Sequence, residues 1–205
     1  MKYSISKRQL DKMTFCFEGK TFYGVLQHWY PLFWQRLSGC GPCCATNMLA
    51  CIDENTKLNT KKDCLDTMQK VWKFVTPGIR GLNKVEKFAK GSNGFFAKYN
   101  LPYTCEYIKC QPQNKNDFNN MIAFLKKSFE NDQPVAFLNL CNGEINELEK
   151  WHWVTIVSIE QINGEYIAHI FDSDLVFDMS LDKWHNTATE TASFACYTHL
   201  QSVQR

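Results

Sequence analysis

The stretch from Ser38 to Ile52, SGCGPCCATNMLACI, sets three cysteines at the start of a run that reads as a helix. Pro42 suits the first turn, where a missing N–H is not needed. Cys40 then stands at the helix mouth, and Cys43 and Cys44 lie inside the first turn facing the core. A thiol at that position meets free backbone N–H groups and the positive end of the helix dipole, and both favour the thiolate. Three chemistries compete for such a cluster. A structural metal site needs about four ligands, usually as two separated pairs, and the chain has no second Cys-x-x-Cys and no His-x-x-x-His. A dithiol redox pair made of Cys40 and Cys43 needs a strand directly before it in a βαβ setting. Residues 35–39 read as a loop instead, strands gather at the far end of the chain, and Thr76-Pro77 would have to supply the proline that faces such a pair. The third option is a nucleophile, Cys40, and it requires a histidine brought beside it by folding.

Five histidines are available: His28, His152, His169, His185 and His199. Four read as surface or half-buried residues. His152 differs because it opens the apolar run HWVTIVSI after the polar loop NGEINELEK. A side chain at the start of a central strand is held rigidly at the sheet edge, where it can face a helix N-terminus. Asp172 closes the next strand, beyond the Asn163-Gly164 turn, so it can lie near the level of His152 and orient the imidazole as the third member of a triad does. Asp174 is the rival, and an ordinary strand-end turn acid is the plain alternative for Asp172.

The elements that must position these groups follow from patterning. Residues 15–34 read as aromatic-rich strand and loop. The cysteine helix runs to about Asp53. Thr60 can cap a second helix to about Phe74, with Leu65, Met68, Val71 and Trp72 on one face, and Thr76-Pro77-Gly78 breaks it. A shorter helix from Leu82 to Lys90 is expected to end in Gly91-Ser92-Asn93-Gly94. LPYTCEYIKC reads as a strand, and NDFNNMIAFLKKSFEND as an amphipathic helix with Phe118, Met121, Ile122, Leu125 and Phe129 inward. PVAFLNLC, WHWVTIVSIE, EYIAHIFDSD, LVFDMS and ASFACYTHL are rich in β-branched and aromatic residues and read as strands. Asn163-Gly164 is a strong hairpin signal between the second and third of them. Helices mostly first and an antiparallel sheet last make an α+β fold.

Bulk composition sets the outer limits. The 205 residues, 44% hydrophobic and 14% aromatic, suit one domain spanning 1–205 with a substantial core. A net charge of +2 with scattered basic residues argues against a nucleic-acid partner. No segment has the length to cross a membrane and the N-terminus lacks a signal-peptide core, so a cytoplasmic location with reduced thiols is expected for the ten cysteines. Cys16, Cys51, Cys64, Cys105, Cys110, Cys141 and Cys196 sit in apolar runs and are expected as small core residues. Trp29, Tyr30, Phe33, Trp34, Trp151 and Trp153 flank the cysteine and histidine segments and would either line a substrate cleft or pack the core.

Gln35 and the following RLSGCGPCCATNML, then WHWVTIVSIE, then FDSD, together resemble the papain-like cysteine peptidases, and within them the double-glycine leader peptidases of bacteriocin exporters and their free-standing relatives. The resemblance covers three short segments and leaves residues 54–133 unmatched. It implies a papain-like fold with Cys40 as nucleophile, His152 as base, Asp172 as orienting acid and Gln35 as oxyanion-hole donor. Gln35 stands one residue nearer to the cysteine than in that family, Ser173 replaces its proline, and Ser158 a common glycine. The activity implied is thiol-dependent hydrolysis of a peptide or small amide through an acyl-enzyme, with no cofactor. Acyl transfer, thiol–disulfide exchange at Cys40/Cys43, and a non-catalytic peptide-binding role are the alternatives.

Overall fold

The computed structural model describes residues 1–200. The chain opens with strand β1 (Lys2–Ser4) and helix α1 (Lys7–Met13), capped by the Ser6 side chain. A small hairpin, β2 (Thr14–Phe17) and β3 (Lys20–Tyr23), is followed by a 3-10 turn over Gln27–Trp29 and helix α2 (Phe33–Ser38). Helix α3 (Cys40–Ile52) starts after the single residue Gly39. Helix α4 (Lys61–Trp72) begins with a reciprocal capping box between Thr60 and Asp63, which satisfies two backbone donors at once. Helix α5 (Val85–Lys98), strand β4 (Tyr103–Cys110) and helix α6 (Lys115–Glu130), capped by Asn114, lead to the remaining strands. These are β5 (Val135–Asn139), β6 (His152–Ile162), β7 (Glu165–Asp172), β8 (Leu175–Ser180) and β9 (Ala192–His199), with helix α7 (Leu181–Thr187) before the last.

The main sheet runs β4-β9-β5-β6-β7-β8, antiparallel throughout. β1 also pairs with β6, at Ser158–Glu160, while β5 takes Ile156 back to His152. Asn163 and Gly164 both have positive φ, 51° and 93°, as a two-residue hairpin turn of the twisted kind requires. Alternation along the strands sends side chains to two helical layers. Ala136, Leu138, Trp153 and Tyr197 pack with Cys44, Leu49 and Phe88 of α3 and α5. Phe137, Val154, Ile156 and Phe194 pack with Met121, Leu125, Phe129 and Trp184 of α6 and α7. The fold is α+β, with the cysteine helix packed on an antiparallel sheet.

Three expectations are corrected. α5 does not stop at Lys90 but runs through Gly91-Ser92-Asn93-Gly94. Residues 33–38 form a helix rather than a loop. Cys16 is exposed and Cys141 half-exposed, whereas the other five thiols expected in the core are buried. β1, α1 and α7 were not foreseen.

Candidate active site

Cys40 is the first residue of α3, and Gly39 before it has no side chain that could cap the helix start. The close packing at the helix mouth explains the neighbouring glycines. A Cβ on Gly41 would fall 2.6 Å from Leu82 and 3.3 Å from Trp153, and one on Gly39 would fall 2.5 Å from the Gln35 carbonyl oxygen. The Trp153 indole N–H also donates to the Leu82 carbonyl at 2.6 Å, which locks this corner to the sheet. Cys40, half-exposed, therefore rests on a rigid base while its thiol borders a small cleft. The cleft is lined by Val25, Cys43, Cys44, His152, Thr155 and Asp172, among others.

His152 begins β6, opposite Asn139 of β5. Its Nε2 lies 3.0 Å from both carboxylate oxygens of Asp172, so any contact with Cys40 falls to Nδ1. Burial alone would push the imidazolium pKa down. The Asp172 hydrogen bond and the charges of Asp172 and Cys40 outweigh it and hold the histidine up, at about 10. A raised folded value means that the proton on His152 stabilises the fold below the ordinary histidine range, and that this contribution fades as pH climbs through about 10.

Asp172 reaches His152 because of an irregularity in the hairpin. From Ile162↔Glu165 to Ser158↔His169 the ladder is regular, and at Val157 the register shifts so that Ile156 meets Ile170 and Thr155 meets Phe171. Asp172, one step further, therefore stands level with Val154, whereas in an unshifted ladder it would stand level with Thr155, one residue further from His152. A bulge of this kind is a common way to re-aim a side chain near a site. The Val157 carbonyl accepts the Ile5 N–H at 3.1 Å, one step beyond the β1–β6 pairs.

The turn after Asp172 explains the missing proline. Ser173 has φ of 62°, which proline, fixed near −65°, cannot adopt. Its carbonyl accepts the Tyr23 N–H at 2.7 Å, tying the small hairpin to the site. Asp174 turns away to Lys20 at 2.8 Å, and that hydrogen bond holds its carboxyl below the usual range. Asn47, buried two turns along α3, takes the Val25 N–H at 2.9 Å and so fixes one wall of the cleft.

Gln35 is not at the cleft. It lies in α2, buried, where its side-chain amide exchanges two hydrogen bonds, 3.2 and 3.1 Å, with that of Gln69 on α4. The oxyanion assignment to Gln35 is corrected on that ground: the residue does not line the cleft, and one of its two amide N–H groups is engaged on another helix. Cys43 and Cys44 are buried, as expected, and burial pushes both thiols up, with a partial offset at Cys44 from the Thr155 hydroxyl that donates to it at 3.6 Å. The flanking aromatics divide: Tyr30 and Trp153 are core residues, while Phe33, Trp34 and Trp151 are exposed. Val25, Asn47 and Ser173 were not foreseen, and Asn47 carried no signal beyond its place one turn and two turns after the cysteines. Larger surface depressions lie elsewhere, and none joins a thiol to a histidine. Among the described residues no cluster of His, Cys, Asp or Glu is placed to hold a metal, and no helix is long and apolar enough to cross a membrane.

No family model matches the chain, and no curated protein matches it. Among solved structures it is similar to UfSP from C. elegans, at 10% identity and a TM-score of 0.55, over 97% of this chain and 34% of that one. The chain thus spans about a third of the length of that structure. The likeness is one of fold, papain-like and α+β, and it does not single out the leader-peptidase branch.

Asp172→Asn is expected to lower activity by less than loss of the histidine, since the imidazole remains and only its orientation and charge support go. Activity that needs the His152 proton should fall off near pH 10 in the unaltered protein, and this alkaline limb should move down in Asp172→Asn. Asp174→Asn should leave both unchanged. A pH profile of kcat/KM for the three proteins decides it: a limb moved by Asp174→Asn and not by Asp172→Asn would reassign the acid.

Proposed function

We propose that this protein is a thiol-dependent hydrolase of peptide or amide bonds. The observation that carries the reading is a histidine held by Asp172 through Nε2, in the same small cleft as a cysteine that opens a helix. The fold likeness supports it only at the level of architecture.

In this reading the Cys40 thiolate attacks the carbonyl carbon. The tetrahedral oxyanion is held by the Cys40 and Gly41 N–H groups at the start of α3; Pro42 has no N–H, and that of Cys43 donates to the Gly39 carbonyl at 2.9 Å. No side-chain donor is assigned, because Gln35 is engaged with Gln69. His152 gives its Nδ1 proton to the leaving amine, and then takes one from the water that clears the thioester. Asp172 holds the ring in place and supports its charge throughout. No group in this sequence of steps requires a metal or an organic cofactor. An amine in place of water would make the same steps an acyl transfer.

Screening of the purified chain against a diverse peptide and amide library tests the proposal. Turnover with a thioester adduct on Cys40 is expected, with none in Cys40→Ala. The reading fails if no substrate turns over and iodoacetamide at mildly acidic pH labels Cys40 no faster than the exposed Cys16.

A further inference from the structure

The hydrolase steps use Cys40 and leave Cys43 without a role, yet both thiols are free and both line the cleft. They sit three residues apart in the first turn of α3. At helical rise and radius their Cα atoms are about 5 Å apart, inside the range that a disulfide spans, roughly 4.4–6.8 Å. The Cys43 side chain packs beside Val25 and Tyr30 while also lining the cleft with Cys40, and because helical side chains lean toward the N-terminus a turn about χ1 brings its sulfur toward Cys40. Cys44 is a poorer partner. It lies about 6 Å away by the same geometry, and its sulfur already accepts the Thr155 hydroxyl. Cys40 is half-exposed and reachable by a small oxidant, while Cys43 is buried and screened from it.

We infer that Cys40 and Cys43 form a peroxide-reactive dithiol, a modification site in which an organic hydroperoxide or hydrogen peroxide converts the pair to a Cys40–Cys43 disulfide. In the first step the Cys40 sulfur attacks the outer peroxide oxygen and the O–O bond breaks. The alcohol or water leaves with the thiol proton, and Cys40 becomes a sulfenic acid. In the second step the Cys43 sulfur attacks the Cys40 sulfur, the S–O bond breaks, and the hydroxide leaves as water with the Cys43 proton. Two thiols lose two electrons and two protons in all, and one peroxide is reduced. Closure protects Cys40 from the further oxidation that a thiol cannot reverse. It also withdraws the nucleophile, a consequence that rests on the hydrolase reading, whereas the dithiol chemistry does not.

The test reads mass rather than activity, so it is independent of whether any substrate is found. The full chain is treated with tert-butyl hydroperoxide, blocked with N-ethylmaleimide and digested with trypsin, which releases residues 37–57 with Cys40, Cys43, Cys44 and Cys51 together. The expected product lacks two hydrogens, fragments as a Cys40–Cys43 link, and reopens with dithiothreitol. Cys43→Ala should instead carry Cys40 to sulfinic acid as the dominant product, which dithiothreitol does not reverse, while Cys44→Ala should keep the link. Sulfinic acid forming equally in the unaltered protein and Cys43→Ala, or a link to Cys44, overturns the inference.

Discussion

Cys40→Ala is expected to remove turnover, and His152→Ala to remove nearly as much, roughly 10⁴- to 10⁶-fold in each case. The double variant should lose no more than the worse single one, because nucleophile and base act as a unit. The physical reason is the shared geometry: His152 is fixed by Asp172 on Nε2, so its remaining nitrogen serves one purpose, and without Cys40 that purpose is gone. Single-turnover and steady-state rates on the best substrate from the library measure it. If His152→Ala stayed within tenfold of the unaltered protein, the base would have to be sought elsewhere.

Gly91→Ala should be among the most destabilising small changes in the chain, and Gly94→Ala should not. Both glycines lie inside α5, where alanine is intrinsically favoured by up to about 1 kcal/mol. At Gly91, however, the new Cβ would stand 2.5 Å from the Phe74 carbonyl oxygen and 3.0 Å from the Val75 Cα. These are backbone atoms just beyond α4 and cannot swing aside. Overpacking of this kind costs about 1–3 kcal/mol, or roughly 2–12 °C in Tm at this chain length. At Gly94 the nearest atom is a Phe74 ring carbon at 3.5 Å, an ordinary contact, so the helix preference prevails and the variant should be neutral or more stable. Thermal and urea unfolding of the two variants check the opposed signs, and equal behaviour would mean that the approach of α5 to residues 74–75 is not as close as described.

The same glycine shows where sequence reading reached its limit. Gly91-Ser92-Asn93-Gly94 has the local composition of a turn, but distant partners hold it helical: Ser92 shares a 2.8 Å hydrogen bond with the Tyr197 hydroxyl, and Asn93 accepts the Cys105 N–H at 2.8 Å. None of those partners is near in sequence. α2 was hidden for a different reason. Phe33, Trp34 and Leu37 are exposed while Gln35 and Ser38 are buried, the reverse of the pattern that marks a surface helix. That inversion also misled the oxyanion assignment, since a residue expected in a loop beside the thiol belongs to a helix turned toward α4. By contrast the cysteine helix, the Asn163-Gly164 hairpin and the strands around it were legible, because each follows from a local rule: proline in a first turn, two positive-φ residues in a tight turn, β-branched runs. The closeness of His152 and Asp172 was anticipated from their distances to the turn, but the reason was not. A plain count along a regular hairpin sets Asp172 level with Thr155, and nothing in HWVTIVS announces the bulge.

That bulge has a consequence for how the chain tolerates changes in length. Val157 is a surplus residue, one more than the β6–β7 ladder can use, so the segment between histidine and acid contains one unit of slack. Removing Val157 would leave every cross-strand pair on both sides of it intact, and Asp172 would still meet His152. The loss would register at the N-terminus, where Ile5 would give up the Val157 carbonyl while the three β1–β6 pairs remain. Adding one residue to the same strand has no such outlet, since the slack is already taken up. Insertions and deletions of equal size in this strand are therefore unequal events: shortening at Val157 loosens the N-terminus and preserves the site, while lengthening by one threatens the site itself.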